Sequence, residues 1–266
     1  MRVLIAVDME GVSGVVHWDQ VDPKHTEYAR FREIMTDEVN AAIDGAMDGG
    51  AASIVVTDGH DNGRNILIEK LHPPARLIGG APAPLSMVEG AQEVDVVFFI
   101  GYHARAGTSG AVLCHTWSDE VRRVTLNGRE VGEIGLNGAV CGSVGVPIVL
   151  VAGDQAATSE ACELFGEIET VVVKRAISRM AAECFPIEEN HRAIRMAAAR
   201  AVRRRAKPFV VEPPITLRVE LLRPDHVDRA LCLPGIQRIS GTEIEWIGND
   251  MPAIYNAFQA IVALGA

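Results

Sequence analysis

Asp8 and Glu10 stand two residues apart where an apolar run, residues 3–7, gives out, and His60 and His103 follow two further runs, 53–57 and 96–100. In an extended segment, residues i and i+2 share a face. Asp8-Met9-Glu10 therefore sends two carboxylates into one space, where they repel unless cations lie between them. Gly11 and Gly14 let the backbone turn closely around such a site. Asp58-Gly59-His60 repeats the arrangement, with an acid able to orient the imidazole. Gly101-Tyr102-His103-Ala104-Arg105 follows the most apolar run, and Glu133 opens a helix-like stretch with Asn137 one turn later. Asp8, Glu10, His60, His103 and Glu133 are thus candidate ligands for a hard or borderline divalent cation, the equipment of a metal-dependent hydrolase.

Each of these residues also has a plainer role. Asp8 can cap a turn while Glu10 stays solvated, a turn histidine can be structural, and a glutamate in the first turn of a helix meets the dipole without a metal. His115, in Leu113-Cys114-His115-Thr116-Trp117, can pack beside Trp117. What favours a site is the coincidence: three strand ends carry the same chemistry, and open α/β sheets bind ligands beyond the carboxyl ends of their strands.

The elements that must position these residues follow from the alternation of short β-branched runs with alanine-rich stretches, the rhythm of an α/β protein with a mostly parallel sheet flanked by helices. Strands are expected at 3–8, 53–57, 94–101, 111–116 and 147–152. Helices are expected at 27–47, stopped by Gly49-Gly50, and at 133–144. Between them 121–132 reads as a hairpin around Asn127-Gly128, which delivers Glu133 to the head of the second helix. Beyond Asp154 come helices at 158–164 and 187–205, strands at 168–174 and 216–222, and a last helix at 251–264. The expected organisation is a catalytic metal-binding α/β domain over residues 1–160 and a smaller α+β domain over 161–266, with the boundary somewhere in 153–170.

Composition narrows the function. A net charge of −10, from 25 basic and 35 acidic residues, argues against nucleic acid as the partner, because phosphate binding needs a basic footprint. The one basic cluster, Arg200, Arg203 to Arg205 and Lys207, reads as a solvated helix face. No apolar run approaches the roughly 20 residues that span a bilayer, and 3–7 is too short for the core of an export signal. Five widely spread cysteines without a C-x-x-C pair suggest neither disulfides nor a thiolate zinc site, so a reducing cytoplasm is expected.

The chain resembles the Dpp-type D-aminopeptidases, zinc-dependent peptidases acting on peptides with an N-terminal D-amino acid. The resemblance runs almost end to end. It rests on Val7-Asp8-Met9-Glu10-Gly11-Val12-Ser13-Gly14, Asp58-Gly59-His60, Glu69-Lys70-Leu71-His72-Pro73, Ser86-Met87-Val88-Glu89-Gly90, Gly101-Tyr102-His103-Ala104-Arg105-Ala106, Gly132-Glu133-Ile134-Gly135-Leu136-Asn137 and Val151-Ala152-Gly153-Asp154. It implies two zinc ions per subunit on Asp8, Glu10, His60, His103 and Glu133, with His115 in the catalytic role. It also implies short peptide substrates and a homo-oligomeric ring of ten subunits around an internal chamber.

Five residues are too few for two separate four-coordinate ions, so a bridging carboxylate is expected, with Asp8 the candidate. Manganese or cobalt suits the same imidazole and carboxylate donors. Three carboxylates against two divalent ions leave a charge of about +1, a setting that readily deprotonates water. Two other functions stay open on the residues alone. A metal-dependent phosphoesterase or nucleotidase would use similar ligands, although no P-loop is present. A non-catalytic peptide-binding protein could keep metals for structure, but structural zinc sites are usually closed by four ligands, often cysteines.

Overall fold

Every apolar run of the first half except one becomes a strand of a single sheet. In the computed structural model, which describes residues 1–265, the strands in chain order are β1 (Arg2–Val7), β2 (Ser53–Asp58), β3 (Arg76–Ile78), β4 (Val96–Tyr102), β5 (Val121–Leu126), β6 (Arg129–Val131), β7 (Ile148–Asp154), β8 (Glu169–Ser178), β9 (Ala181–Cys184), β10 (Ile215–Leu221), β11 (Gln237–Arg238) and β12 (Glu243–Gly248). The helices are α1 (Tyr28–Asp48), α2 (Glu133–Ser143), α3 (Gln155–Phe165), α4 (Ile187–Ala201), α5 (Pro224–Ala230) and α6 (Met251–Gly265). A seven-stranded sheet runs in the order β3-β2-β1-β4-β7-β8-β9. It is parallel throughout except for the antiparallel β8–β9 edge. A second sheet, β11-β12-β10-β5-β6, is antiparallel.

The sheet is buried because both its faces are covered, as parallel sheets require. Along β1, Val3, Ile5 and Val7 pack with Met35, Val39 and Ile43 of α1 and Ile194 and Ala198 of α4. Leu4 and Ala6 turn the other way, to Leu136 of α2, Val219 of β10 and Phe258 of α6. Each buried Val, Leu, Ile, Met or Phe among these contributes roughly 1.5–3 kcal/mol. No helix among the described residues is long and apolar enough to cross a membrane.

The two sheets do not divide the chain at one point. The β5–β6 hairpin, which precedes residue 160, pairs with β10 in the second sheet, whereas β8 and β9, which follow it, extend the first. One expected strand is not formed. Residues 111–116 run as turns, because their backbone groups bond elsewhere: Val112 N–H donates to Asp154 Oδ2 (2.7 Å), Leu113 N–H donates to the Arg179 carbonyl (2.8 Å), and Leu113 sits at φ 47°. Sequence reading also passed over β12, α5 and the short strands β3, β9 and β11, none longer than four residues.

Candidate metal centre

All six expected residues meet in one buried place. Asp8 and Glu10 follow the end of β1, His60 follows β2, His103 follows β4, and Glu133 is the first residue of α2. The β5–β6 hairpin carries the chain to that helix head. His115 arrives on the irregular segment after residue 111 and stacks on His103, ring centroids 4.0 Å apart and 13° from parallel.

The close approach of β1 and β4 depends on two glycines. Gly11 N–H donates to the Gly101 carbonyl (2.7 Å), and a Cβ at Gly11 would lie 2.0 Å from the Tyr102 carbonyl oxygen. Gly101 has φ +73°, and a Cβ there would lie 2.2 Å from the Asp8 carbonyl oxygen. Glycine is required at both places.

The imidazoles are oriented by the backbone. His60 Nε2–H donates to the Val21 carbonyl (2.9 Å), His103 Nδ1–H to that of Ala104 (3.0 Å) and His115 Nδ1–H to that of Leu113 (2.8 Å). In each ring one nitrogen is thereby committed and the other bears the lone pair. Those free nitrogens face carboxylates. His60 Nδ1 lies 3.3 Å from Asp8 Oδ1 and 3.2 Å from Glu10 Oε2. His103 Nε2 lies 3.4 Å from Asp8 Oδ2 and 3.2 Å from Glu133 Oε1, and His115 Nε2 lies 3.8 Å from the same glutamate oxygen. A ring nitrogen set against a carboxylate oxygen needs positive charge there, either a proton on the ring or a metal cation between the two. Asp8 Oδ2, Glu10 Oε2 and His103 Nε2 are in addition buried without a hydrogen-bond partner.

Two groups of donor atoms have the compactness a metal ion needs, Asp8 with Glu10 and His103, and His103 with His115 and Glu133; within each the atoms lie within 4.8 Å of one another. The residues present therefore fit a divalent cation, and the donor chemistry, imidazole with carboxylate and no thiolate, fits zinc, manganese or cobalt.

The protonation pattern shows the same demand for positive charge. Burial, reinforced by Glu10, pushes Asp8 up to about 7. Burial acts to raise Glu10 and Glu133 too, but His60 beside the first and His103 beside the second hold both below the usual carboxylate range. Burial works to lower His60 and His103, and is overcome by Glu10 and Asp8 at the first and Glu133 at the second, so both are raised well above an ordinary histidine. His115 goes the other way, lowered by burial and by the neighbouring His103.

Two expected supporting roles are corrected. Asp58 does not reach the His60 ring; its carboxylate accepts from Asn65 N–H (2.5 Å), Asn65 Nδ2 (2.7 Å) and Ile66 N–H (2.7 Å), closing the loop that Asn65 also ties to the His60 carbonyl. Asn137 turns away from Glu133, donating to Tyr102 Oη and accepting from Tyr255 Oη. Arg105 pairs with Glu160 (3.5 Å) and Glu130 (3.9 Å), not with the site.

Sequence reading missed Lys174. It is fully buried on β8, and its Nζ donates to the carbonyls of Glu10 (2.6 Å), Val12 (2.8 Å) and Val15 (2.6 Å), fixing the loop that presents Glu10. Burial lowers it to about 8, against the pull of Asp154 and Glu38, while its three acceptors match the three hydrogens of an ammonium. A lysine directly continuing the apolar stretch 171–173 was the signal that could have found it. Trp18 was missed as well; it meets His115 edge-on at 5.1 Å. Together with Trp117, Met87, Asp22 and Asp61 it lines a cavity of about 540 Å³ over the centre.

The model of one protein family, D-aminopeptidase, matches residues 1–260. A D-aminopeptidase of Bacillus subtilis (strain 168) is 37% identical over 268 residues, covering 99% of this chain and 97% of that protein. The solved structure of a Zn-dependent D-aminopeptidase from Bacillus subtilis, DppA, described as a self-compartmentalizing protease, superposes with a TM-score of 0.97 at 36% identity over 100% of this chain and 98% of its own.

Proposed function

The chain belongs to the D-aminopeptidase family, and from that premise we propose that it is a zinc-dependent aminopeptidase that removes an N-terminal D-amino acid from short peptides or amides. The observation that carries this reading is the set of three imidazoles whose free nitrogens converge on three carboxylates, with buried donor atoms left unpartnered. Asp8, Glu10 and His60 would hold one ion, and His103 and Glu133 a second. Asp8 would serve both, since its Oδ1 faces His60 and its Oδ2 faces His103. When bound, the ions polarise the scissile carbonyl and acidify a water molecule.

The chain's own residues supply the rest. His115 moves the proton at Nε2, because Nδ1 is locked on the Leu113 carbonyl. Its lowered pKa keeps it neutral and able to accept near neutral pH, after which it can return the proton to the departing amine. Glu133 steadies the charge that His115 gains, and its own Oε1 is fixed by Trp117 N–H at 2.7 Å. Trp18 and Trp117 wall the cavity against bulk water. Assembly into a ten-subunit ring, with the cavities opening on an inner chamber, would restrict entry to short peptides.

The test compares D-alanyl-p-nitroanilide, its L-alanyl counterpart and p-nitrophenyl phosphate on zinc-loaded protein, with metal analysis of the protein as purified. Selective turnover of the D-substrate at close to two zinc equivalents is expected. Preference for the phosphate would overturn the reading in favour of a phosphoesterase, and metal retained without any turnover would leave a binding protein.

A further inference from the structure

A second cavity, of about 650 Å³, lies against the first, and His115 and Asp119 border both. The two differ in charge. The outer wall of the first carries Asp22 and Asp61. The second is bordered by Arg122 and Arg179, and its one acid, Asp119, is engaged with Arg179 at 2.5 Å. Arg179 is further occupied by the Cys114 carbonyl (3.2 Å) and lies over the Trp18 ring. Arg122, by contrast, has no hydrogen bond or ion pair among the described residues.

A peptide cleaved beside His115 must send its N-terminal residue to one side of that ring and its leaving portion to the other. The ammonium end suits the acidic cavity. On the strength of the aminopeptidase reading, we propose that the second cavity is the subsite for the leaving portion, and that Arg122 recognises its C-terminal carboxylate. A space of this volume is roughly 9 Å across, and an extended chain advances about 3.3–3.6 Å per residue. A leaving portion of one or two residues would then bring its carboxylate to the guanidinium. An unpaired guanidinium is the side chain best matched to a carboxylate, which it can engage through two parallel N–H donors.

The experiment measures kcat and KM for D-alanylglycine, D-alanylglycinamide and D-alanyl-p-nitroanilide on the zinc-loaded wild type and on Arg122→Gln and Arg122→Lys. Because Arg122 is exposed and unpaired, neither substitution removes a contact the fold uses. The wild type should favour the free acid over the amide by about tenfold in kcat/KM, the size of one charge-assisted contact. Arg122→Gln should abolish that preference through KM, Arg122→Lys should restore part of it, and the anilide should be indifferent to both. Calorimetric titration of the two dipeptides into metal-free protein should show the same ratio without turnover. Equal rates for acid and amide in the wild type, or an undiminished preference in Arg122→Gln, would overturn the subsite while leaving the peptidase reading intact. Failure of every D-alanyl substrate would instead sink the peptidase reading, and the calorimetric ratio would then decide the carboxylate subsite alone.

Discussion

His115 touches both cavities and spends one ring nitrogen on a backbone carbonyl, so replacing it should remove proton transfer and little else. His115→Ala is expected to lower kcat by about 10²–10⁴-fold, with zinc content by metal analysis unchanged; loss of an equivalent of zinc would instead make His115 a ligand. A second expectation concerns the metal-free protein. His60 and His103 have folded pKa values raised above the ordinary 6.5, so the stability they contribute is present below that value and is lost as pH rises through the folded one. Asp8, raised to about 7, binds its proton more tightly folded than unfolded, so its contribution also falls as pH climbs toward 7. Chelator-treated protein should therefore melt at a lower temperature at pH 8 than at pH 6, and zinc should narrow the gap, as thermal denaturation would show. These residues were legible because strand ends and i, i+2 spacing place them without further information. Asp58 and Asn137 were misread because sequence spacing fixes which way a side chain leaves the backbone, but not which of several polar neighbours it then meets.

Among the elements, β8 acts at a distance through Lys174. Three carbonyls of the loop after β1 converge on a single ammonium, and Lys174→Met would leave all three buried without a donor. The expected cost is about 3 kcal/mol, read as a lower denaturation midpoint, together with weaker zinc binding because Glu10 rides on that loop. Arginine in the same place would be too large to restore it, so the effect should follow geometry and not charge alone. The main helices and the strands β1, β2, β4, β7, β8 and β10 were readable because each is a long periodic or β-branched run. Residues 111–116 were not, since an apolar run reads as a strand whether or not a neighbouring strand accepts its hydrogen bonds. Here Asp154 and Arg179 claim them, and no local pattern announces partners more than 40 residues away.

At the scale of the whole molecule, the similar solved structure is that of a self-compartmentalizing protease, and several apolar side chains stand exposed here, Ile177 at 74%, Ile68 at 61% and Ile247 at 55%. Light scattering should accordingly give a mass of about ten times 28.6 kDa, and a monomer would overturn the proposed ring. Assignment of strands to the second sheet could not be read from order along the chain, because β5, with β6 paired to its other edge, finds its partner β10 about 90 residues later. That pairing places the metal centre astride a seam. Asp8, Glu10, His60 and His103 hang from the first sheet, while Glu133 stands on a helix fed by the second. A bound ion is then a rivet through two plates, and the tightness with which zinc is held gauges how truly the plates are aligned.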